Sequence, residues 1–324
     1  MNSAILGTGS YVPNRVLTNA DLERMVDTSD TWIVERTGIR ERRLVEPGQA
    51  CSDLGLEAAQ RALSAAKVKA CDIDLILLAT CTGDAPLPST ACLLQHQLGA
   101  TRAAACDISA ACCGFVYALS IADAYIKTGM RHVLVVASEV MSAITDWTDR
   151  NTCVLFGDGA GAVVLGQGSE GSGILSTHLH ANGRLPEMIH VPGGGSKEPA
   201  SKDVLDNKRC FIKMKGNETF KIAVKSMEEA AHEAVNANSV AMTDIDVFIP
   251  HQANMRILKA VSQRLGLAQE KLMINLDKFG NTSAASIPLA LDEAVHSQKV
   301  QRGQLVLLAA FGAGLTWASA LVRW

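Results

Sequence analysis

The chain has 324 residues, 48% of them hydrophobic and 19% charged, with a formal net charge of −3. That length can hold two cores, and the balance fits a soluble globular protein. No basic excess calls for a nucleic acid partner, and no apolar stretch reaches transmembrane length. The nine cysteines form no Cys-x-x-Cys pair and no zinc-finger spacing, and the first residues lack a signal-like apolar run. The expectation is a reducing, cytoplasmic setting with neither a disulfide framework nor a metal site.

Taken in order, Gly7-Thr8-Gly9 lacks the third glycine of a dinucleotide loop and reads as a turn. Residues 27–33 read as a polar turn entering a short helix that carries Trp32. An Ala-rich helix over 53–66 leads to an apolar strand over 75–79. From Cys112 to Ile126 the only charge is Asp123, and Lys127 and Gly129 follow as a helix end, so 112–127 reads as a buried helix. Cys112 falls at its start, where unpaired N–H groups and the helix dipole favour a thiolate. Taken alone, such a cysteine is more often a small buried hydrophobe than a nucleophile. A strand over 133–137 comes next, and 185–210, with Gly193-Gly194-Gly195-Ser196, reads as an irregular insert able to cover a site. The remainder reads as helix 227–238, strand 247–250, helix 284–295 and strand 305–309.

These elements repeat. Ala58-Ala59 lines up with Ala230-Ala231, and Asp72-Ile73-Asp74 with Asp244-Ile245-Asp246, both at an offset of 172 residues. The offset continues without a gap, so that Ala118-Leu119 meets Ala290-Leu291 and 132–137 meets 304–309. The division expected is residues 1–171 and 172–324, two copies of one unit. Apolar strands alternating with helices point to parallel sheets covered on both faces, and two packed units give layers of helix, sheet, helix, sheet and helix. A pseudo-twofold would turn Cys112 and its equivalent, Ala284, toward one cleft.

Two further loops face that cleft. Pro250-His251-Gln252-Ala253-Asn254 follows the strand at 247–250, and Gly280-Asn281-Thr282-Ser283 precedes the helix that mirrors the Cys112 helix. Cys, His and Asn together suit acyl transfer. A thiolate is acylated by a thioester, helix-start N–H groups hold the oxyanion, and two neutral donors stabilise an enolate formed by decarboxylation. The loop Phe311-Gly312-Ala313-Gly314-Leu315 can bring a second oxyanion N–H, or be a plain turn. Lys221, Lys225, Arg256, Lys259 and Arg264 recur at helical spacing, as a solvated face or as a dock for an acidic carrier.

With these motifs the chain resembles, over essentially its whole length, the bacterial β-ketoacyl-acyl-carrier-protein synthase III family of the thiolase fold. The resemblance rests on Asp27-Thr28-Ser29-Asp30 with Trp32, Arg36-Thr37-Gly38-Ile39, Ala110-Ala111-Cys112 with Gly114-Phe115, Phe156-Gly157-Asp158-Gly159, and the His251 and Asn281 motifs above. It implies an α/β, five-layer αβαβα architecture with Cys112 as acylated nucleophile and His251 and Asn281 as the decarboxylation pair. Backbone N–H groups of Cys112 and Ala313 match the oxyanion hole. Trp32 and Arg150 match residues that sandwich the coenzyme A adenine. Thr28 and Arg36 match nucleotide and phosphate contacts, and Gly216 and Asn254 match pantetheine contacts. Arg256, Lys221 and Lys259 match carrier docking, Phe156 and Leu87 the acyl pocket, with Leu87 reaching a homodimer partner's tunnel.

The implied reaction joins an acyl-CoA primer to malonyl-acyl carrier protein without metal or redox cofactor, starting fatty-acid chains. The chain departs from the family pattern at Cys113, Ala313 and Leu87, where alanine, glycine and phenylalanine are common, and Trp147 adds an aromatic near Arg150. Two other readings fit the scaffold: an acyltransferase to another acceptor without decarboxylation, and a non-catalytic carrier-binding subunit. The intact Cys112 speaks against the second.

Overall fold

A computed structural model describes residues 3–169 and 171–324. Two sheets organise it. The first has the strand order Ser3–Tyr11, Asp158–Gln167, His132–Val140, Leu75–Ala79, Ala104–Ile108. The second has the order Val247–Pro250, Leu305–Gly312, Thr316–Arg323, Gly173–Ala181. Helix Cys51–Ala66 packs on the first sheet and Gly216–Ala237 on the second, while Gly114–Lys127 and Ser286–His296 touch strands of both. The result is the five-layer αβαβα arrangement.

Burial explains the patterning. The outer helix Cys51–Ala66 buries one stripe, including Leu54, Ala58, Ala62 and Leu63. The central helix Gly114–Lys127 buries Phe115, Val116, Ala118, Leu119, Ala122 and Ile126, because both sheets press on it. Leu75–Ala79 is buried at every residue, as a strand covered on both faces must be.

The parallel pairing expected from sequence holds only toward one end of each sheet. Leu75–Ala79 runs parallel to both its neighbours, and Val247–Pro250 runs parallel to Leu305–Gly312. The other pairings within the two sheets are antiparallel. Only residues 313–315 separate Leu305–Gly312 from Thr316–Arg323, too few for the crossover that parallel strands need. A second correction concerns Gly7-Thr8-Gly9, which lies inside strand Ser3–Tyr11 and not in a turn. A Cβ on Gly7 would stand 2.3 Å from the Ala66 nitrogen, and one on Gly9 would stand 2.4 Å from the Ala58 oxygen. The glycines let the outer helix lie directly on the strand.

The 172-residue offset is visible in local geometry. The 3-10 turns Ala111–Cys113 and Ser283–Ala285 correspond, as do the helix starts at Gly114 and Ser286. Lys67 and Ser239 share a left-handed backbone, φ 54° and 53°. The correspondence lapses at strand Ala104–Ile108, whose equivalent positions include the short helix Leu276–Phe279. There, among the described residues, the second sheet is extended only by an isolated bridge from Phe248 to Leu272. The 185–210 insert holds a short strand, Ile189–His190, paired with Lys213–Met214, and helix Lys202–Asp206.

Candidate active site

Cys112 sits in the 3-10 turn Ala111–Cys113, one turn ahead of the α-helix that the sequence placed it in. Ala111, at φ 46°, reverses the chain after strand Ala104–Ile108. Gly312 packs so closely that a Cβ there would lie 2.7 Å from the Cys112 nitrogen. The Thr316 hydroxyl reaches Ala110 O at 3.2 Å and Ala313 O at 3.1 Å, tying the cysteine loop to the Ala313 loop.

His251 follows strand Val247–Pro250, and its N–H donates to Ala309 O at 2.8 Å. The ring is buried, with Nδ1 2.7 Å from Ser286 Oγ, which also accepts the Gln252 N–H at 3.2 Å. Asn281 is held by its backbone, its N–H donating to Leu155 O at 2.8 Å and its carbonyl accepting the Gly157 N–H at 3.1 Å. Its Oδ1 accepts the Ser283 N–H at 2.9 Å, which turns the amide NH2 to the free side. Neither His251 Nε2 nor Asn281 Nδ2 meets a protein partner among the described residues. Cys112, His251, Asn281, Phe156 and Ala313 line one cavity of about 710 Å³.

Burial dominates the electrostatics. It pushes the Cys112 thiol up to about 12, the buried Glu139 carboxylate adding to the rise and the Ser283 hydroxyl opposing it. The thiolate expected from the helix start is therefore not the resting form. Burial raises Cys113 as well, and Cys81, another cavity residue, is raised by burial and by Glu139. Burial brings His251 down to about 4, so its imidazole is neutral at pH 7.

The cavity extends past Arg36, Gly216, Lys221, Asn254 and Arg256. Asn254 caps helix Met255–Arg264 through its side-chain oxygen, 2.9 Å from the Ile257 nitrogen. Arg36 stands 4.7 Å over the Trp32 ring and Arg150 stands 4.8 Å over it. Arg36 thus joins the cavity to an aromatic platform on helix Asp30–Thr37, which Ser29 caps. Trp147 instead packs half-buried against the apolar core. Thr28 is outside the cavity lining, and its Oγ1 has no hydrogen-bond partner among the described residues. Arg256 stacks 5.3 Å over Phe220, and Lys221 and Lys259 are exposed. Arg264 pairs with Glu228 and Lys225 with Glu229. Leu87 does not line its own chain's cavity and is 86% exposed.

The sequence marks Ser283 only as part of the Asn281 loop and gives no role to Ser286, Cys81 or Glu139. Ser283 and Ser286 were within reach of the repeat, since they mirror Ala111 and Gly114. Glu139 ends a strand that otherwise reads as plain core, and Cys81 carried no signal.

Among the described residues no helix is long and apolar enough to cross a membrane, and no group of three or more His, Cys, Asp or Glu is placed to hold a metal ion.

Comparison with known proteins matches residues 106–183 to the family described as 3-oxoacyl-[acyl-carrier-protein] synthase III and residues 235–324 to its C-terminal region. A β-ketoacyl-[acyl-carrier-protein] synthase III of Caldanaerobacter subterraneus subsp. tengcongensis is 53% identical, over 99% of this chain and 98% of its own. Its namesake from Alkalilimnicola ehrlichii is also 53% identical, at the same coverage. The crystal structure of 3-oxoacyl-[acyl-carrier-protein] synthase III from Aquifex aeolicus is similar with a TM-score of 0.92 at 48% identity, covering 99% of this chain and 100% of that one. With fold, cavity and relatives in agreement over the full length, the chain belongs to the β-ketoacyl-[acyl-carrier-protein] synthase III family.

Proposed function

We propose that this chain catalyses the decarboxylating condensation of an acyl-CoA primer with malonyl-acyl carrier protein, through an acyl-Cys112 intermediate, and so starts fatty-acid chains. In the first half-reaction the Cys112 sulfur bonds to the primer carbonyl, the bond to coenzyme A breaks, and the cysteine proton leaves with coenzyme A. N–H groups of Cys112 and Ala313 hold the oxyanion. Malonyl-carrier then loses carbon dioxide, and the electron pair left behind spreads onto its thioester oxygen. His251 Nε2–H and Asn281 Nδ2–H donate to that oxygen. The enolate carbon attacks acyl-Cys112, giving β-ketoacyl-carrier, and the released sulfur takes up one proton.

The observation that carries this reading is a pair of unspent side-chain nitrogens in the Cys112 cavity: His251 and Asn281 each use one side-chain atom on the protein and leave Nε2 and Nδ2 without a partner among the described residues. A neutral imidazole suits a donor that need not act as a strong base. The Arg36–Trp32–Arg150 stack supports an adenine site for coenzyme A, with Thr28 beside it and Gly216 and Asn254 along the pantetheine arm. Arg256, Lys221 and Lys259 form the carrier dock. A homodimer partner covering Leu87 and receiving it in its acyl tunnel accounts for the exposure of that side chain. No metal or redox cofactor takes part, and these partners suit a cytoplasmic enzyme.

Incubation with acyl-CoA primers of increasing length, then with malonyl-carrier, tests the reading. Carbon dioxide and β-ketoacyl-carrier in equal amounts are expected. Acyl transfer to another acceptor without carbon dioxide, or no acylation at any chain length, would overturn it.

A further inference from the structure

Ser286 heads helix Ser286–His296, and its hydroxyl is buried against His251 Nδ1 at 2.7 Å. The 172-residue offset pairs Ser286 with Gly114 and His251 with Ala79. In the first half that contact is bare, since a Cβ on Gly114 would come within 2.9 Å of the Ala79 Cβ. The second half places a hydroxyl and an imidazole at the same crossing of strand end and central helix. A point of close backbone packing has become a polar contact at the reaction cavity.

The proton count at this contact has one solution. A hydroxyl donates once and accepts twice. Ser286 Oγ accepts the Gln252 N–H at 3.2 Å, and among the described residues His251 Nδ1 is the one acceptor that its own proton meets. Were Nδ1 to carry the ring proton, the buried Ser286 O–H would be left without an acceptor, at a cost of about 1–3 kcal/mol. With Ser286 donating, the ring proton sits on Nε2.

We propose that Ser286 is a positioning residue that fixes the tautomer of His251, holding Nε2–H as the donor to the malonyl thioester oxygen. The role rests on the condensation reading above. Without the hydroxyl both tautomers become available, and in one of them Nε2 presents a lone pair to the enolate oxygen. Ser286 is not needed for attack by Cys112, so its loss separates the two half-reactions.

The test uses the full chain, uniformly 15N-labelled at histidine, with acetyl-CoA and malonyl-carrier as probes. Wild-type protein is expected to show a protonated Nε2 and a bare Nδ1 for His251, and Ser286→Ala a mixture of the two forms. Ser286→Ala is expected to lower decarboxylation about tenfold or more while Cys112 acylation stays within about twofold of wild type. Normal acylation also reports that the variant is folded. Ser286→Thr, which keeps the hydroxyl, is expected to recover decarboxylation in proportion to the Nε2–H form in its spectrum. A wild-type spectrum with Nδ1 protonated, or undiminished decarboxylation by Ser286→Ala, overturns the role of Ser286 alone. A wild-type protein that neither acylates nor releases carbon dioxide overturns the underlying reaction instead.

Discussion

Ala111 and Ser283 stand 172 residues apart and share one unusual backbone state, with φ of 46° and 50°. Each is the first residue of a 3-10 turn that leads into a central helix. One turn presents Cys112, and the other, through its N–H, orients the Asn281 amide.

A left-handed backbone costs a residue with a Cβ roughly 1–2 kcal/mol. Ala111→Gly removes that cost and adds unfolded-chain entropy, so a change in stability of no more than about 1 kcal/mol is expected. Ala111→Val puts a β-branched residue where it fits badly, and a loss of about 2 kcal/mol or more is expected, with acylation falling alongside. Thermal denaturation and intact mass after acyl-CoA treatment read both. A fully stable, fully active Val variant would show that the turn does not depend on this backbone state.

Gly312 supports Cys112 from the opposite loop, where an added Cβ would come 2.7 Å from its nitrogen and 3.1 Å from its Cβ. Backbone gives way less easily than a side chain, so Gly312→Ala displaces Cys112. Loss of acylation by about 100-fold is expected from such a misplacement. The rate of coenzyme A release on mixing with acyl-CoA measures it.

Asn281→Asp keeps an oxygen to accept the Ser283 N–H and exchanges the free NH2 for a second carboxylate oxygen. Facing the enolate of the proposed condensation, that oxygen would repel where the amide would donate. Carbon dioxide release is expected to fall at least about 100-fold, while Cys112 still takes an acyl group. Retained decarboxylation would mean that the Asn281 amide does not donate to the reacting oxygen.

His251 predicts a pH dependence of stability. Its folded pKa, about 4, lies below the unfolded value of 6.5 because the ring is buried. The unfolded chain then binds the proton first, so the contribution is full above pH 6.5 and is lost as pH falls to about 4. The loss is on the order of 3 kcal/mol over that window. Urea denaturation of wild type and His251→Asn at pH 7 and pH 4 should show the wild type losing about that much more stability than the variant.

Much of this was legible in the sequence because it rests on patterns spanning many residues. The apolar strands, the Ala-rich outer helix and the constant offset reported two sheets with shared central helices. The offset also brought Cys112, His251 and Asn281 to one cleft. Pairing direction was not legible, because an apolar strand buried on both faces looks alike whichever way its neighbour runs. Gly7 and Gly9 looked like a turn because nothing local tells a flexible glycine from one pressed against a helix. The charge state of Cys112 was misjudged for a related reason. Helix-start stabilisation can be read locally, whereas the burial that opposes it, and the remote Glu139 charge that adds to it, depend on the whole fold. Ser286 was missed because a serine at a helix start usually serves its own helix.

In the proposed mechanism Cys112 carries the acyl group, and His251 and Asn281 act only afterwards. Peptide mapping by mass spectrometry of the His251→Ala and Asn281→Ala variants, after acyl-CoA and then malonyl-carrier, tests it most directly. One acyl mass on Cys112, persisting in both variants and discharged in wild type with equimolar carbon dioxide, is the predicted result. An acyl group on Cys113 or Cys81, or variants that discharge it at the wild-type rate, would contradict the assignment.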